Sequence, residues 1–383
     1  MSSKSVAIVG AGIAGLSAAA TFAKAGFNVR VYEQAEEARE FGAALLIKHN
    51  AYTALKSLGI TEKMELDGVR LQTASIVDDF SQQILQRDLR SEWAVMIRRQ
   101  SLHSLLLQAA LDNGVEVVVS ARVVQVRAEG VLTFANGSEV SADLVIGADG
   151  RNSVVRDALG LTATAMDLPT GATRAAFPRK EIPVAMEYWS GSRRVGFAPC
   201  SEDLTYAFIM GPESDRSASQ VPLDREYWSD AIPALSDLFE RVASSPTVFH
   251  HPVSVVSCTS WSAGRVALLG DAAHAMPPDF GQGANLAIDI GYDLVSKIDG
   301  GGELETGLLE WERMTRPRAD MVQMLSAAYN FIGYQCPPSL VRLRTLGISA
   351  IARMPMGKSR WDFYWRGGHP KPGSNWMQPS DNK

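Results

Sequence analysis

Hydrophobic positions near the N-terminus change period twice in one short stretch. Val6–Val9 is a continuous apolar run of strand character. Gly10, Gly12 and Gly15 follow, and apolar residues then recur at helical spacing through Leu16, Ala19, Ala20, Phe22 and Ala23, up to Gly26. "NVRVYEQ" (28–34) returns to strand character, so the unit reads as the start of a right-handed βαβ. Helices are predicted over Ala51–Leu58 and Arg99–Leu111, and a buried strand over Val115–Val119. Val123–Val126 and Val131–Phe134 read as a hairpin pair, with its turn in "ANGSEV" at Asn136-Gly137. "DLVIGADG" (143–150) is an apolar strand running into a Gly-Asp-Gly step.

Two regions depart from this alternation. Residues 69–95 consist of short alternating pieces, and 171–258 is a succession of aromatic and β-branched strands with helix signals confined to about Leu223–Ala243. "GRVALLGDAAH" (264–274) then restores the strand-and-tight-turn pattern. After Glu303 the chain reads as helix, and it closes in a stretch rich in Trp, Gly and Pro. The expected fold class is α/β, a nucleotide-binding domain interrupted by an inserted, mostly antiparallel sheet and followed by a C-terminal helical segment.

Composition narrows the function classes. The 383 residues are 46% hydrophobic and 21% charged, with a net charge of −5, and no basic stripe appears, which argues against a nucleic-acid partner. Cys200, Cys258 and Cys336 are isolated, so neither a disulfide scaffold nor a metal site is expected. The small-residue run 6–26 carries regularly placed glycines and Lys24, which argues against a signal peptide or membrane span. The expectation is a cytoplasmic protein without membrane contact.

Three motifs carry candidate chemistry. In Gly10-Ala11-Gly12-Ile13-Ala14-Gly15, Gly10 permits a tight turn, Gly12 lets backbone N–H groups approach a pyrophosphate, and Gly15 permits close helix–strand packing. Glu33, at the end of the second strand, suits the two hydroxyls of an adenosine ribose and would repel a 2′-phosphate. In "GADGRNSVVRDAL" (147–159), Asp149-Gly150 ends a strand and Ser153 and Arg156 fall in the first turns of a helix; a capped surface turn is the bland alternative. In "GDAAHAMPPDFGQGANLAIDIGYDL" (270–294), Asp271 stands at a strand end. Pro277, Pro278, Gly281 and Gly283 shape a loop that can lie against a flat ring, and the helix from Ala284 aims its positive end there. A Pro-rich loop before a core helix is the alternative.

Together the motifs resemble the single-component FAD-dependent aromatic hydroxylases, the class A flavoprotein monooxygenases, over about Val6 to Arg318. The resemblance implies a discontinuous FAD-binding domain (1–68, 96–170 and 259–320), a substrate domain (69–95 and 171–258), and a C-terminal helical segment and tail (321–383). It assigns Gly10, Gly12, Gly15 and Glu33 to the ADP half of FAD, Arg99 to the flavin side, and Val123 to the adenine through its backbone. Asp271 would bind the flavin chain, and Gly283, Ala284 and Asn285 would line the ring. Asp149 would stabilise its own loop, and His274 would pack the Asp271 turn. NADH or NADPH would reduce the flavin, and O2 would form a C4a-hydroperoxide that oxygenates an aromatic ring.

Within that family, "EFGAALLIKHNAYTALKSLG" (40–59), "PCSEDLTYAFIMGP" (199–212) and "QVPLDREYW" (220–228) look like bacterial oxygenases of hydroxypyridine carboxylates. That likeness assigns Arg194 to a substrate carboxylate and Tyr206 to the same pocket; the alternative for Arg193 and Arg194 is a pair of solvated strand charges. Leu46 stands where those enzymes carry a tyrosine, and Pro278 and Phe280 also differ. His49 and Pro278 are the candidate catalytic positions, with His49 polarising a substrate or flavin group; a solvent-exposed loop histidine is the alternative for His49. His250-His251 reads as a strand-end feature. The expected activity is hydroxylation of a hydroxylated pyridine carboxylate, with or without ring opening. A hydroxybenzoate or salicylate-type hydroxylase, a non-oxygenating FAD reductase and a non-catalytic flavoprotein are the alternatives.

Overall fold

The computed structural model describes residues 4–40, 42–78, 83–179, 184–298, 302–354, 359, 362, 363 and 365–369. Its first layer is a six-stranded sheet in the order Ser262–Ala263, Val266–Leu268, Leu144–Gly147, Ser5–Val9, Asn28–Tyr32, Glu116–Val118. All neighbours are parallel except the short pair at the Ser262–Ala263 edge. The central strands are near-continuous apolar runs, and Ile8, Val31, Val145 and Ile146 are fully buried in one core with residues of Ile13–Lys24 and of the segment Val123–Phe134. The helix Ile13–Lys24 lies on the sheet through Leu16, Ala19, Ala20 and Phe22, and its small residues allow close approach. Each large apolar side chain buried there contributes about 1.5–3 kcal/mol.

The second layer is a seven-stranded sheet in the order Val248–Cys258, Thr162–Pro178, Leu204–Pro212, Arg193–Pro199, Ala185–Ser190, Thr73–Asp78, Gln83–Asp88. It is antiparallel except where Ala185–Ser190 runs parallel to Thr73–Asp78. Its strands alternate, and the two faces have different fates. Ala175, Phe177, Val195, Ala207 and Ile209 pack under the helices Arg225–Ala231 and Ser236–Ala243. Ala172, Arg174, Arg194, Tyr206 and Met210 occupy the opposite face by register.

The chain differs from the sequence reading in three places. A three-stranded meander replaces the single hairpin: Gly130, at φ 88°, turns the chain between Val123–Arg127 and Val131–Phe134, and Asn136-Gly137 turns it again into Glu139–Ser141. Residues 69–95 divide between sheets, because Val69–Arg70 joins Ala44–Lys48 and Ala94–Arg98 in a small separate sheet. The strand Thr162–Pro178 also crosses residue 170, with a register irregularity against Val248–Cys258 between Asp167 and Gly171 and with its pairing to Leu204–Pro212 starting at Thr170, and the helix Leu304–Tyr334 runs through residue 320. No helix among the described residues is long and apolar enough to cross a membrane.

Candidate active site

The first wall of the site is the turn after Ser5–Val9. Gly10 has φ 102°, and a Cβ there would stand 2.5 Å from the Ala148 carbonyl oxygen. A Cβ on Gly15 would stand 2.0 Å from the Gly10 carbonyl oxygen. Only glycine closes this turn, and it delivers the uncapped N-terminus of Ile13–Lys24 with Gly12 at the N-cap. Glu33 receives the N–H groups of Ala11 and Ala35, each at 2.9 Å, which places its carboxylate beside the turn. Arg99 opens the helix Arg99–Asp112 and pairs with Glu40 at 2.7 Å. Glu40 lies beside Gly12, so the arginine sits over the same turn. Val123 is buried at the start of its strand, opposite Phe134, whose ring meets Tyr32 at 4.9 Å.

The second wall joins the Asp149 and Asp271 turns. Asp149 accepts from the Ser153 hydroxyl at 2.5 Å and from the Val155 N–H at 3.2 Å; burial pushes its carboxyl above the usual range. It holds its own loop. Ser153 caps the helix Val154–Ala158 by accepting from the Arg156 N–H. Buried Arg156 donates to the carbonyls of Arg151 at 3.0 Å and Ala272 at 3.2 Å, which ties the two turns together. Asp271 is exposed at the start of Asp271–His274. His274 is fully buried against Trp261, 5.2 Å between ring centroids, and burial lowers its pKa.

The third wall is the loop Pro277–Gln282. Pro278–Phe280 forms one 3-10 turn, Gly281 adopts the left-handed conformation, and Gly283–Ile298 follows as helix. Asn285 donates to the carbonyls of Leu46 at 2.9 Å and Gly281 at 2.8 Å, and accepts from the Lys48 N–H at 2.7 Å. The side chain assigned to the ring therefore also staples the loop to the strand Ala44–Lys48. Among the described residues, no heavy atom outside its own neighbourhood lies within 4 Å of a Cβ built on Gly283.

The residues fit FAD: a glycine-only turn at an uncapped helix end, a carboxylate beside it, and an open glycine at the start of a second helix. Residues 3–317 match the FAD binding domain family. The chain belongs to the class A FAD-dependent monooxygenases. It is 35% identical over 329 residues to a putative 2-heptyl-3-hydroxy-4(1H)-quinolone synthase of Rhodococcus erythropolis, covering 83% of this chain and 86% of that protein. It is 32% identical over 316 residues to 6-hydroxynicotinate 3-monooxygenase of Bordetella bronchiseptica, covering 74% and 80%. The tetrameric form of 2-methyl-3-hydroxypyridine-5-carboxylic acid oxygenase superposes with a TM-score of 0.82 at 29% identity, covering 89% of this chain and 96% of that one. This monooxygenase thus uses FAD, reduced by NAD(P)H, and the flavin supplies the redox and oxygen-activating chemistry when bound.

On the substrate side, this monooxygenase separates the two residues expected to act together. Tyr206 is buried; burial pushes its phenol up while Arg174 beside it pulls the other way. Arg194 has a different set of partners. Its guanidinium pairs with Asp279 of the Pro277–Gln282 loop at 2.8 Å, donates to the Tyr329 carbonyl at 3.2 Å, and lies 4.0–4.5 Å from the ring centroids of Trp189, Tyr329 and Tyr334. Arg194 is buried, so the alternative of a solvated strand charge does not describe it. The exposed-loop reading of His49 also changes: His49 begins the helix His49–Ser57, stacks on Tyr52 and buries its Nδ1, and burial lowers its pKa. His250, near the start of Val248–Cys258, hydrogen-bonds Glu213 at 2.6 Å and Thr173 on the neighbouring strand at 2.8 Å.

A cavity of about 470 Å³ lies between the layers, lined by Arg151, Arg174, His251, Ser254, Asp271 and Pro278 among others. Arg174 went unnoticed in the sequence, where "GATRAAF" reads simply as strand. Its signal was parity: it shares a sheet face with Ala172 and Ala176 and, across the ladder, with Tyr206.

Proposed function

We propose that this monooxygenase hydroxylates a hydroxylated nitrogen-heteroaromatic acid of the pyridine-carboxylate type, and that Arg174 holds the carboxylate. The observation that carries this reading is the Arg174 fork. It stands half-buried on the flavin-side face beside Tyr206, lines the cavity with Asp271 and Pro278, and makes no ion pair with any described carboxylate. Arg194, committed to Asp279, is no longer needed for that task. The similarity to 6-hydroxynicotinate 3-monooxygenase supports the same substrate class. The chain's work is to hold FAD on the glycine turn, orient the ring between Tyr206 and the Pro278 loop, and keep water out.

A second reading has its own observation. Leu46, Met96, Phe208 and Phe249 form an apolar cluster around Tyr206, which suits a quinolone with an alkyl chain, and quinolone synthases are among the relatives. The test is O2 uptake and NAD(P)H oxidation with FAD against 6-hydroxynicotinate, a methylated hydroxypyridine carboxylate, a hydroxybenzoate and an alkyl-4-quinolone. The proposal expects stimulation by a pyridine carboxylate and a KM raised about tenfold to a hundredfold in Arg174→Ala, the worth of hydrogen bonds to a charged group. Stimulation by the quinolone alone, with KM unmoved by that substitution, replaces it with the second reading.

A further inference from the structure

A feature outside the family match completes the flavin loop. The match ends at residue 317, yet the described residues between Asp362 and His369 pack against the outer side of Pro277–Gln282 and the strand Ala44–Lys48. The Trp365 carbonyl accepts from Gln282 Nε2 at 2.5 Å. A Cβ on Gly367 would stand 2.7 Å from Asn50 Nδ2 and 3.0 Å from Gln282 Oε1, so this backbone lies directly on both amides. Asn50 in turn donates to Gln282 Oε1 at 3.1 Å. Asp362 pairs with Arg87 at 2.7 Å and Arg366 with Glu92 at 3.0 Å, and His369 Nε2 hydrogen-bonds Asp289 at 2.8 Å.

At the centre is Lys48, only 2% exposed. Its Nζ donates to the Phe280 carbonyl and lies 3.4 Å from the centroid of the Trp365 ring. No described carboxylate stands within ion-pair distance of it. Burial, with Arg87 acting in the same direction and Glu92 against it, pushes the Lys48 amine well below its ordinary range; the Trp365 face, which also lies 4.8 Å from the Arg87 guanidinium, offsets part of the cost of any charge there. The carbonyl it satisfies belongs to a loop with few backbone hydrogen bonds of its own, the Gly281 N–H to the Pro278 carbonyl being one.

We propose that Trp365 and Lys48 are positioning residues of the flavin site: Trp365 caps Lys48 and accepts from Gln282, and Lys48 holds the Phe280 carbonyl, so that the backbone leading into Gly283, Ala284 and Asn285 is fixed before FAD arrives. The inference rests on the FAD assignment and is independent of the substrate. Releasing the latch makes FAD binding bear the ordering of the loop, so affinity falls although neither residue belongs to the glycine turn.

The test is titration of FAD into apoprotein, followed by flavin fluorescence and by the fine structure of the bound flavin's visible spectrum. Trp365→Leu keeps bulk without a π face, and Trp365→Phe keeps the face. Trp365→Leu and Lys48→Met each weaken FAD by about tenfold and blur the spectrum, whereas Trp365→Phe stays within about twofold. The Trp365→Leu/Lys48→Met double variant binds about as well as Lys48→Met alone, because both remove one shared contact. Wild-type affinity and spectrum in Trp365→Leu, or losses that multiply in the double variant, overturn the proposal. Acetic anhydride footprinting of the wild-type holoenzyme needs no variant: Lys48 stays protected, and acylation as fast as that of exposed Lys63 overturns the latch. A wild-type protein that binds no FAD would instead remove the cofactor assignment.

Discussion

Arg194 and Asp279 form a 2.8 Å ion pair whose side chains are 2% and 0% exposed, and it joins the seven-stranded sheet to the loop beside the flavin site. Asp279 also accepts from Asn330 Nδ2 at 3.0 Å, and Asn330 accepts from the Thr170 hydroxyl at 2.9 Å. One carboxylate therefore ties together the sheet, the loop and the helix Leu304–Tyr334. Burial pushes the Asp279 carboxyl up and Arg194 pulls it back, so the pair stands or falls as a unit.

The first prediction follows from that unit. Arg194→Ala leaves Asp279 buried and unpaired, and breaking a buried pair from one side costs about 3–5 kcal/mol. Urea unfolding should show a loss of that order, with Asp279→Asn milder because Asn330 and the fork still find an oxygen. Substrate KM in whatever folded fraction remains should change far less than in Arg174→Ala. A stable Arg194→Ala protein with a greatly raised KM would return Arg194 to the substrate.

The glycine turn gives a second prediction. Gly15→Ala places a Cβ 2.0 Å from the Gly10 carbonyl oxygen, and Gly10→Ala combines a 2.5 Å backbone clash with a positive φ. Neither clash involves a flexible side chain, so the turn must open. Both variants should be purified with far less flavin absorbance per protein than wild type and should melt at lower temperature. A Gly15→Ala protein with full flavin content would mean that the turn tolerates opening.

What the sequence disclosed follows from how local the information is. The glycine turn, Glu33, the Asp149 and Asp271 steps and the helix after Gly283 are each set by a few neighbouring residues, and their order along the chain identifies the cofactor. Arg194, Arg174 and Lys48 were different. Each is a cation on a strand, and its role depends on which strand or loop lies across from it: Asp279, 85 residues away, for Arg194, and Tyr206 for Arg174. The partner of Lys48 is further still, at Trp365 in a stretch that reads only as rich in Trp, Gly and Pro. The insertion was legible through its aromatic and β-branched strands, whereas the pairing of Thr162–Pro178, which meets Leu204–Pro212 only from Thr170 onward and shifts register against Val248–Cys258 between Asp167 and Gly171, depends on distant strands that local composition does not reveal.

A third prediction concerns the link between the second and third motifs. Arg156 is buried and donates to the carbonyls of Arg151 and Ala272. Lysine carries the charge but cannot reproduce the fork, so Arg156→Lys leaves buried carbonyls unsatisfied at about 1–3 kcal/mol each. The expected result is a lower melting temperature together with weaker FAD retention on dilution, since both turns flank the cofactor. Retention and melting equal to wild type would show that water replaces the fork.

The last prediction is a pH dependence of stability from His274. Burial lowers its pKa below the ordinary 6.5, while in the unfolded chain the imidazole titrates near 6.5. Between the folded and unfolded values the unfolded state binds more protons, so stability rises with pH through that window and is lost as pH falls below about 6.5. The slope from one such group is at most about 1.4 kcal/mol per pH unit. The groups bearing on His274 are Asp271, Asp320 and Arg318, with Trp261 packed against its ring, and none donates or accepts a hydrogen bond to it. Urea unfolding of wild type at pH 7.5 and pH 5.5 should therefore show lower stability in acid. His274→Phe keeps the ring on Trp261 and removes the titration, so its stability should change less between the two pH values. Equal pH slopes in the two proteins would mean that the imidazole is already charged when folded, with Asp271 as its counterion.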